Sequence, residues 1–398
     1  MANSDRSSKS KYRFTPRFKK LVAWVITFVL SVVFIWGGFS HFSKKIAVFN
    51  VEGAVVARAK ITEVGDLVED SYGLGEDASY DSSMQYFTAK ITSGEHRGEV
   101  VTAIQTIDNL VSVTEKPVEK GDHIILYNYG FEEGGTEWIF GSYSRLDSMI
   151  VFGIIFCILL LVFGKFKGLN TIISLAFTCL ACFAVFIPAV LSGANIYLWS
   201  CIICIFTIIM TLMIVEGPTE KGLTTILGCS FGVAAAAIMT VILDKAMFLT
   251  GMLDEHSVYL TYFEPPIDLN GVVFAMVVIG ALGAVMDVAM DISSSLHEIH
   301  VKAPGLSFKE YFRSGITIGR DIMGTMANTL VLAYIGSSLC SVLLMISYSS
   351  SLRELLNREG IIVEIMNGLI GSCAILLTIP LTSLICGMLY GGKNEKNN

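Results

Sequence analysis

The stretch from residue 271 to residue 300, GVVFAMVVIGALGAVMDVAMDISSSLHEIH, decides how the whole chain is read. Its first 16 residues carry no charge. At a helical rise of about 1.5 Å per residue, a run from 271 to 290 covers roughly the 30 Å of a bilayer's hydrocarbon core. Near the end of that run come Asp287 and Asp291, four residues apart and on one helical face with Gly283. With the span counted from Val272, Asp287 lies about 23 Å along the core and Asp291 near its cytoplasmic edge. An aspartate at mid-span costs about 2.5 to 3.5 kcal/mol, less toward the ends, so Asp287 needs a partner, a water-filled cavity or a bound proton.

The rest of the chain has the same character. It is 53% hydrophobic and 16% charged over 398 residues, with a mean hydropathy of +0.64. Further apolar runs of bilayer length occur at 21–39, 148–164, 169–191, 196–215, 222–243, 323–348 and 362–390. The expected fold is therefore a predominantly α-helical integral membrane protein with about eight transmembrane helices. Basic residues cluster before the first run (Arg6 to Lys20) and again at Lys165, Lys167, Lys221, Lys302, Lys309, Arg313, Arg320, Lys393 and Lys396. Because Lys and Arg are retained on the inner side during insertion, both termini are expected in the cytoplasm of a cell-membrane protein. The run 21–39 lacks a small-residue cleavage site and reads as an uncleaved anchor.

Residues 40–147 change pattern. Short β-type segments such as MQYFTAKITSG, GEVVTAIQTI and HIILYNYG are separated by Gly and Asp clusters, which predicts an extracytoplasmic β-rich domain, either a small open sheet or an OB-like or SH3-like barrel. The segment holds 18 Asp and Glu residues against 9 Lys and Arg, a surface that repels nucleic acid. The resulting division is a basic tail (1–20), an anchor (21–39), the β-rich domain (40–147), a seven-helix membrane domain (148–390) and a short tail (391–398).

Nine cysteines all fall in apolar runs, including the C-x-x-C pairs at 179/182 and 201/204, and read as small buried hydrophobes. The G-x-S-x-G around Ser230 sits in an apolar helix with no strand before it, so it is not read as a nucleophile elbow. Instead Gly228 and Gly232, with Gly283 and Gly324 elsewhere, are expected to let neighbouring helices approach closely. The HEIH of His297 to His300 misses the metal-binding H-x-x-x-H register by one residue. No cofactor, metal or catalytic residue is expected.

A counter-charge for the aspartates is offered by GRDIMGTMANTLVLAYIGSSL at 319–339, where Arg320, Gly324 and Asn328 share a face and Asp321, Thr325 and Thr329 add polar groups. Glu364 and Asn367, three residues apart in the last run, extend a polar route. One reading is a pathway formed by Asp287, Asp291, Arg320, Asp321, Thr325 and Asn328 for a proton, cation or small solute; the other is polar glue between helices. An intramembrane aspartyl protease using Asp287 and Asp321 lacks the G-x-G-D motif, having IGRD in its place.

The stretches GALGAVMDVAMDISSSLHEI (280–299) and GRDIMGTMANTLVLAYIGSSL (319–339), with ITSGEHRGEVV and VEKGDHIIL in the β-rich segment, resemble the YibE/F-like family of multi-pass membrane proteins. Asp287 and the Gly319-Arg320-Asp321 group match that family's pattern, whereas Asp291 stands where a small polar residue is expected. The resemblance implies a multi-pass membrane protein and suggests transport. The partners expected are the lipid bilayer, a small solute or cation, and a second copy or another envelope protein. In the competing reading the helices only anchor a β-rich module that recruits a partner.

Overall fold

An amide without water must find its hydrogen bond within its own helix or sheet, and the chain meets this demand with ten helices and one closed barrel among the described residues. The computed structural model describes residues 16–45, 55–73, 79–108, 116–133, 136–254 and 256–391. The basic residues before Pro16, residues 46–54 of the expected β-rich domain and the tail residues Lys393 and Lys396 lie outside that range. The chain divides into two compact units, 48–159 and 1–47 with 160–398.

The first unit contains the barrel: β1 (Val55–Gly73), β2 (Ser79–Ile91), β3 (Val100–Asp108), β4 (His123–Glu133) and β5 (Thr136–Tyr143), in the cyclic order β1-β2-β3-β5-β4. All neighbours are antiparallel except β3 and β5, which pair in parallel through only Ala103 with Trp138 and Ile104 with Ile139. The sheet therefore closes as a small five-strand barrel and does not stay open. Alternation fills the inside: Ala57, Ala59 and Ile61 from β1, Phe87, Ala89 and Ile91 from β2, and Ile124 and Leu126 from β4 are buried together. The 19-residue β1 serves both β2 and β4 by bending at two register shifts. Gly65 lies in the second, where a Cβ would stand 2.9 Å from the Tyr86 carbonyl oxygen. Inside the barrel Gln105, fully buried, donates to the Lys116 carbonyl at 3.1 Å and accepts from the Val118 N–H at 2.9 Å, tying the connection before β4 to β3.

The helices are α1 (Pro16–Phe42), α2 (Leu146–Leu180), α3 (Ile187–Leu191), α4 (Ile196–Val215), α5 (Glu220–Met247), α6 (Ser257–Thr261), α7 (Leu269–Lys302), α8 (Phe308–Ser347), α9 (Leu352–Leu355) and α10 (Glu359–Gly391). A wide helical turn, Ala181–Phe186, joins α2 to α3. Seven of the described helical segments are long and apolar enough to cross a membrane, the longest being Leu146–Leu191. The eight expected runs map onto these seven because 148–164 and 169–191 share that one segment. It is not straight: Lys165 takes the left-handed φ of 49°, and the carbonyl oxygen of Leu160 stands against the bare face of Gly168. In a continuous helix residues eight apart would be about 12 Å apart along the axis, so the chain folds sharply here.

In the second unit α7 and α10 are the most enclosed long elements, and on α7 Val277, Val278, Ala281, Val285, Val288, Ala289 and Ile292 are all fully buried. It packs against α4, α5, α8 and α10, and α10 also packs against α5 and α8. Small residues allow the approach. Gly228 and Gly232 of α5 lie against Thr382 and Thr378 of α10, and a Cβ at Gly232 would also come within 2.7 Å of Val285 on α7. Gly315 and Gly319 of α8, another four-residue step, lie against Ser383 and Ile379 of α10. The close approach expected at Gly283 and Gly324 is not made within this chain: nothing lies within 4 Å of a Cβ at either position. Both sit on outward-facing helix surfaces, while the packing runs through other faces.

Three outcomes are expected. In a cysteine-free background, a cysteine at position 165 is labelled by a membrane-impermeant maleimide from the same side as the N-terminus; labelling from the opposite side would reduce 146–191 to a single crossing. Gly232→Leu overpacks the α5–α10–α7 contact, costs about 1 to 3 kcal/mol or more, and lowers the melting temperature of the purified chain. Gln105→Leu strips partners from two backbone groups and destabilises the barrel by about 1 to 3 kcal/mol, read by denaturant unfolding of the excised domain.

Candidate functional site

Helix α7 starts where the Asp268 carboxylate accepts from the Gly271 N–H at 3.2 Å. It ends in a turn carrying His300 and Lys302. Most of its circumference is buried, but one line of residues stays open: Met276, Gly280, Gly283, Asp287 and Asp291 are all exposed. Their spacing of three and four places them in a single stripe along the helix. Asp287 lies seven residues, about 10 Å, beyond Gly280 along this stripe. Thus the two aspartates do share a face with Gly283, and that face looks away from the packed core.

The second group of expected residues lies on α8. Arg320, Asp321, Gly324, Thr325, Asn328 and Thr329 are all exposed, and Arg320, Asp321, Gly324 and Asn328 point away from the buried side of Tyr311, Gly315 and Gly319. Two hydroxyls are spent on their own helix, Thr325 donating to the Ile322 carbonyl at 2.9 Å and Thr329 to that of Thr325 at 2.8 Å. The bridge expected from Arg320 to Asp287 or Asp291 is not formed. Among the described ion pairs, all within 4.0 Å, none involves Arg320, Asp321, Asp287 or Asp291. The physical reason is rotational: α8 turns its glycine face to α10, which carries Arg320 outward.

At its other end the α7 stripe runs into a cavity of about 600 Å³ lined mainly by apolar side chains of α3, α4, α6, α7, α8 and α10. Leu260 and Ile267 from the connection before α7 border it, so that connection covers part of its wall. The polar groups on its lining are Tyr334 and Ser337 of α8 and Glu364 and Asn367 of α10. The Tyr334 hydroxyl rests on the bare backbone of Gly280, a placement that any larger residue at 280 would obstruct. Asn367, only 3% exposed, is within hydrogen-bonding reach of the half-buried Glu364, and its Oδ1 has no hydrogen-bond partner. A second cavity of about 350 Å³, between α8, α9 and α10, shares Tyr334 and Glu364 with the first. The sequence pointed to Glu364 and Asn367 but not to Tyr334 or Gly280. The available signal was a tyrosine inside an apolar run, whose hydroxyl needs a partner or a thin place in a neighbouring helix.

Other groups singled out in the sequence are engaged structurally. His300 Nδ1 lies 2.8 Å from the Tyr311 hydroxyl and its ring stacks on Tyr390, while the His297 ring also contacts Tyr390. Among the described residues no three His, Cys, Asp or Glu side chains gather in an arrangement that would hold a metal ion. Ser230 donates to the Ile226 carbonyl at 2.8 Å within α5. All nine cysteines are free.

A backbone clasp fixes the rim of this region. Glu359, the first residue of α10, accepts from the Thr250 N–H at 2.6 Å, from the Thr250 hydroxyl at 2.8 Å and from the Gly251 N–H. Nearby, Asp254 accepts from both the N–H and the hydroxyl of Ser257 at 2.7 Å, which holds its carboxyl below the usual carboxylate range.

No curated protein and no solved structure matches the chain. The model of the YibE/F-like protein family matches residues 152–392, which include the open stripe of α7, the polar face of α8 and the Glu364 cavity. With the match extending over more than half of the sequence and over the whole of α4 to α10, the chain belongs to the YibE/F-like family.

Proposed function

We propose that the membrane domain is a permease for a proton, cation or small solute, with Asp287 as its responsive group. The supporting observation is that this carboxylate, deep in an apolar helix, has no basic side chain within 4.0 Å among the described residues and lies on an open stripe that continues from a large cavity. A charge so placed is costly unless water, a proton or a cation attends it, and the stripe leaves room for each. Asp291 extends the same line toward the end of α7. Arg320, Asp321, Thr325 and Asn328 form a separate polar face at a comparable depth, which the bilayer would not cover favourably. In this reading the protein sits in the cell membrane with eight crossings and both termini inside, the sharp fold at Lys165 separating the second crossing from the third.

A second reading is favoured by one observation, that the barrel is a compact unit of its own. There the helices serve as an anchor and the barrel recruits an envelope partner. The two readings separate by flux. Proteoliposomes carrying the full chain and a pH-sensitive dye, energised by a potassium diffusion potential, are expected to acidify faster than empty vesicles. Asp287→Asn should abolish most of this difference, tenfold or more on the order expected for loss of an essential protonatable group, with an unchanged elution profile. Equal flux in wild type and Asp287→Asn would remove the aspartate from the mechanism; no flux from either would leave the anchoring reading.

A further inference from the structure

We propose that the cavity faced by Glu364, Tyr334 and Asn367 is a binding site for a small amphipathic molecule carrying a primary ammonium group on an apolar body. The site adjoins the α7 stripe at Met276 and Gly280 but does not include the aspartates, and binding there does not depend on transport.

Three observations carry the assignment. The cavity's volume of about 600 Å³ falls within the roughly 300 to 1,000 Å³ of small-molecule sites, and like them it is largely apolar with a few convergent polar groups. The polar groups are all capable of accepting. Glu364 brings a carboxylate that has no Lys or Arg within 4.0 Å among the described residues, and Tyr334 brings a hydroxyl. Asn367 contributes an oxygen that is both deeply buried and unpaired. That oxygen is enclosed and not open to the cavity, so Asn367 acts on the site through Glu364, which it reaches by a hydrogen bond.

The chemistry of the occupant follows by elimination among charge types. An anion would face the Glu364 carboxylate in a region of low dielectric, where like charges repel strongly. A plain hydrocarbon would satisfy the walls and leave the Glu364 carboxylate without a counter-charge. An ammonium group has three N–H donors and one positive charge, which answer the carboxylate and the Tyr334 hydroxyl. The apolar remainder then lies along Ile279, Met276 and Ile187. Both a free amine from solution and an ethanolamine lipid headgroup have this chemistry, and the experiment distinguishes them.

The test uses the full chain in nanodiscs of phosphatidylcholine and phosphatidylglycerol, with radiolabelled dodecylamine as probe and excess unlabelled amine to define the displaceable fraction. One saturable site per chain is expected, with Glu364→Gln weakening it by about tenfold or more and Tyr334→Phe and Asn367→Ala each by a few-fold. Dodecanoate should not displace the probe. Asp287→Asn should bind as wild type, which separates failure of this site from failure of the permease reading. Phosphatidylethanolamine added to the nanodiscs displaces the probe if the headgroup is the occupant, and leaves it bound if a free amine is; both results support an ammonium site. Unchanged affinity in Glu364→Gln and Tyr334→Phe variants that elute as wild type, or equal displacement by dodecanoate, would overturn the proposal.

Discussion

The closeness with which α10 lies against its neighbours governs the membrane unit. Within a bilayer no hydrophobic driving force pushes helices together, because lipid tails are as apolar as leucine, and cohesion must come from contact and hydrogen bonding at short range. The chain supplies such contact through glycines on both flanking helices: Gly228 and Gly232 of α5 lie on Thr382 and Thr378, and Gly315 and Gly319 of α8 lie on Ser383 and Ile379. The facing threonine and serine hydroxyls do not cross the gap. Thr378 and Ser383 each donate back to the carbonyl four residues earlier in α10, which keeps their polar atoms satisfied and turns their small outer surfaces to the glycines. With both neighbours held so near, α7 is enclosed on most of its circumference.

That enclosure explains why the open line on α7 stands out chemically. The residues that fill the α7 core are aliphatic, whereas the residues left out of it include two glycines and two aspartates. The Glu364 cavity lies off the same line, where Gly280 yields its side-chain space to the Tyr334 hydroxyl. A polar group and the vacancy that accommodates it therefore come from different helices and occur in pairs: hydroxyl with glycine at Tyr334 and Gly280, carboxylate with buried amide at Glu364 and Asn367.

The helical membrane segments and the β-rich segment were legible in the sequence because each has a one-dimensional signature, an unbroken apolar run or a two-residue alternation. Seven of the apolar helices and a five-strand barrel carry those signatures in the structure. What could not be read was rotation about helix axes. The face shared by Arg320, Gly324 and Asn328 was visible as a periodicity, but whether it met α7 or turned away depended on Gly315 and Gly319, five residues and one residue earlier, docking on α10. In the same way periodicity alone does not tell that Gly228 and Gly232 are covered while Gly283 and Gly324 have no atom within 4 Å of a Cβ among the described residues. The Lys165 fold was marked in the sequence by KFKG between the runs 148–164 and 169–191, and the backbone angle with the contact between Leu160 and Gly168 shows how sharply the chain turns there within one helical segment.

The barrel's strand pairing also sets how anything can join it. Proteins that accept an extra strand from a partner do so along a row of unpaired backbone groups at a sheet margin. Here β1 meets β4 through residues 55–60 and β2 through 59–73, so beyond Ile61 it has a strand partner on one side only among the described residues. The thinnest stitch is the parallel one between β3 and β5, two residue pairs long. A visiting peptide seeking backbone bonds would find its row of groups along the far half of β1, or else would have to unzip that stitch.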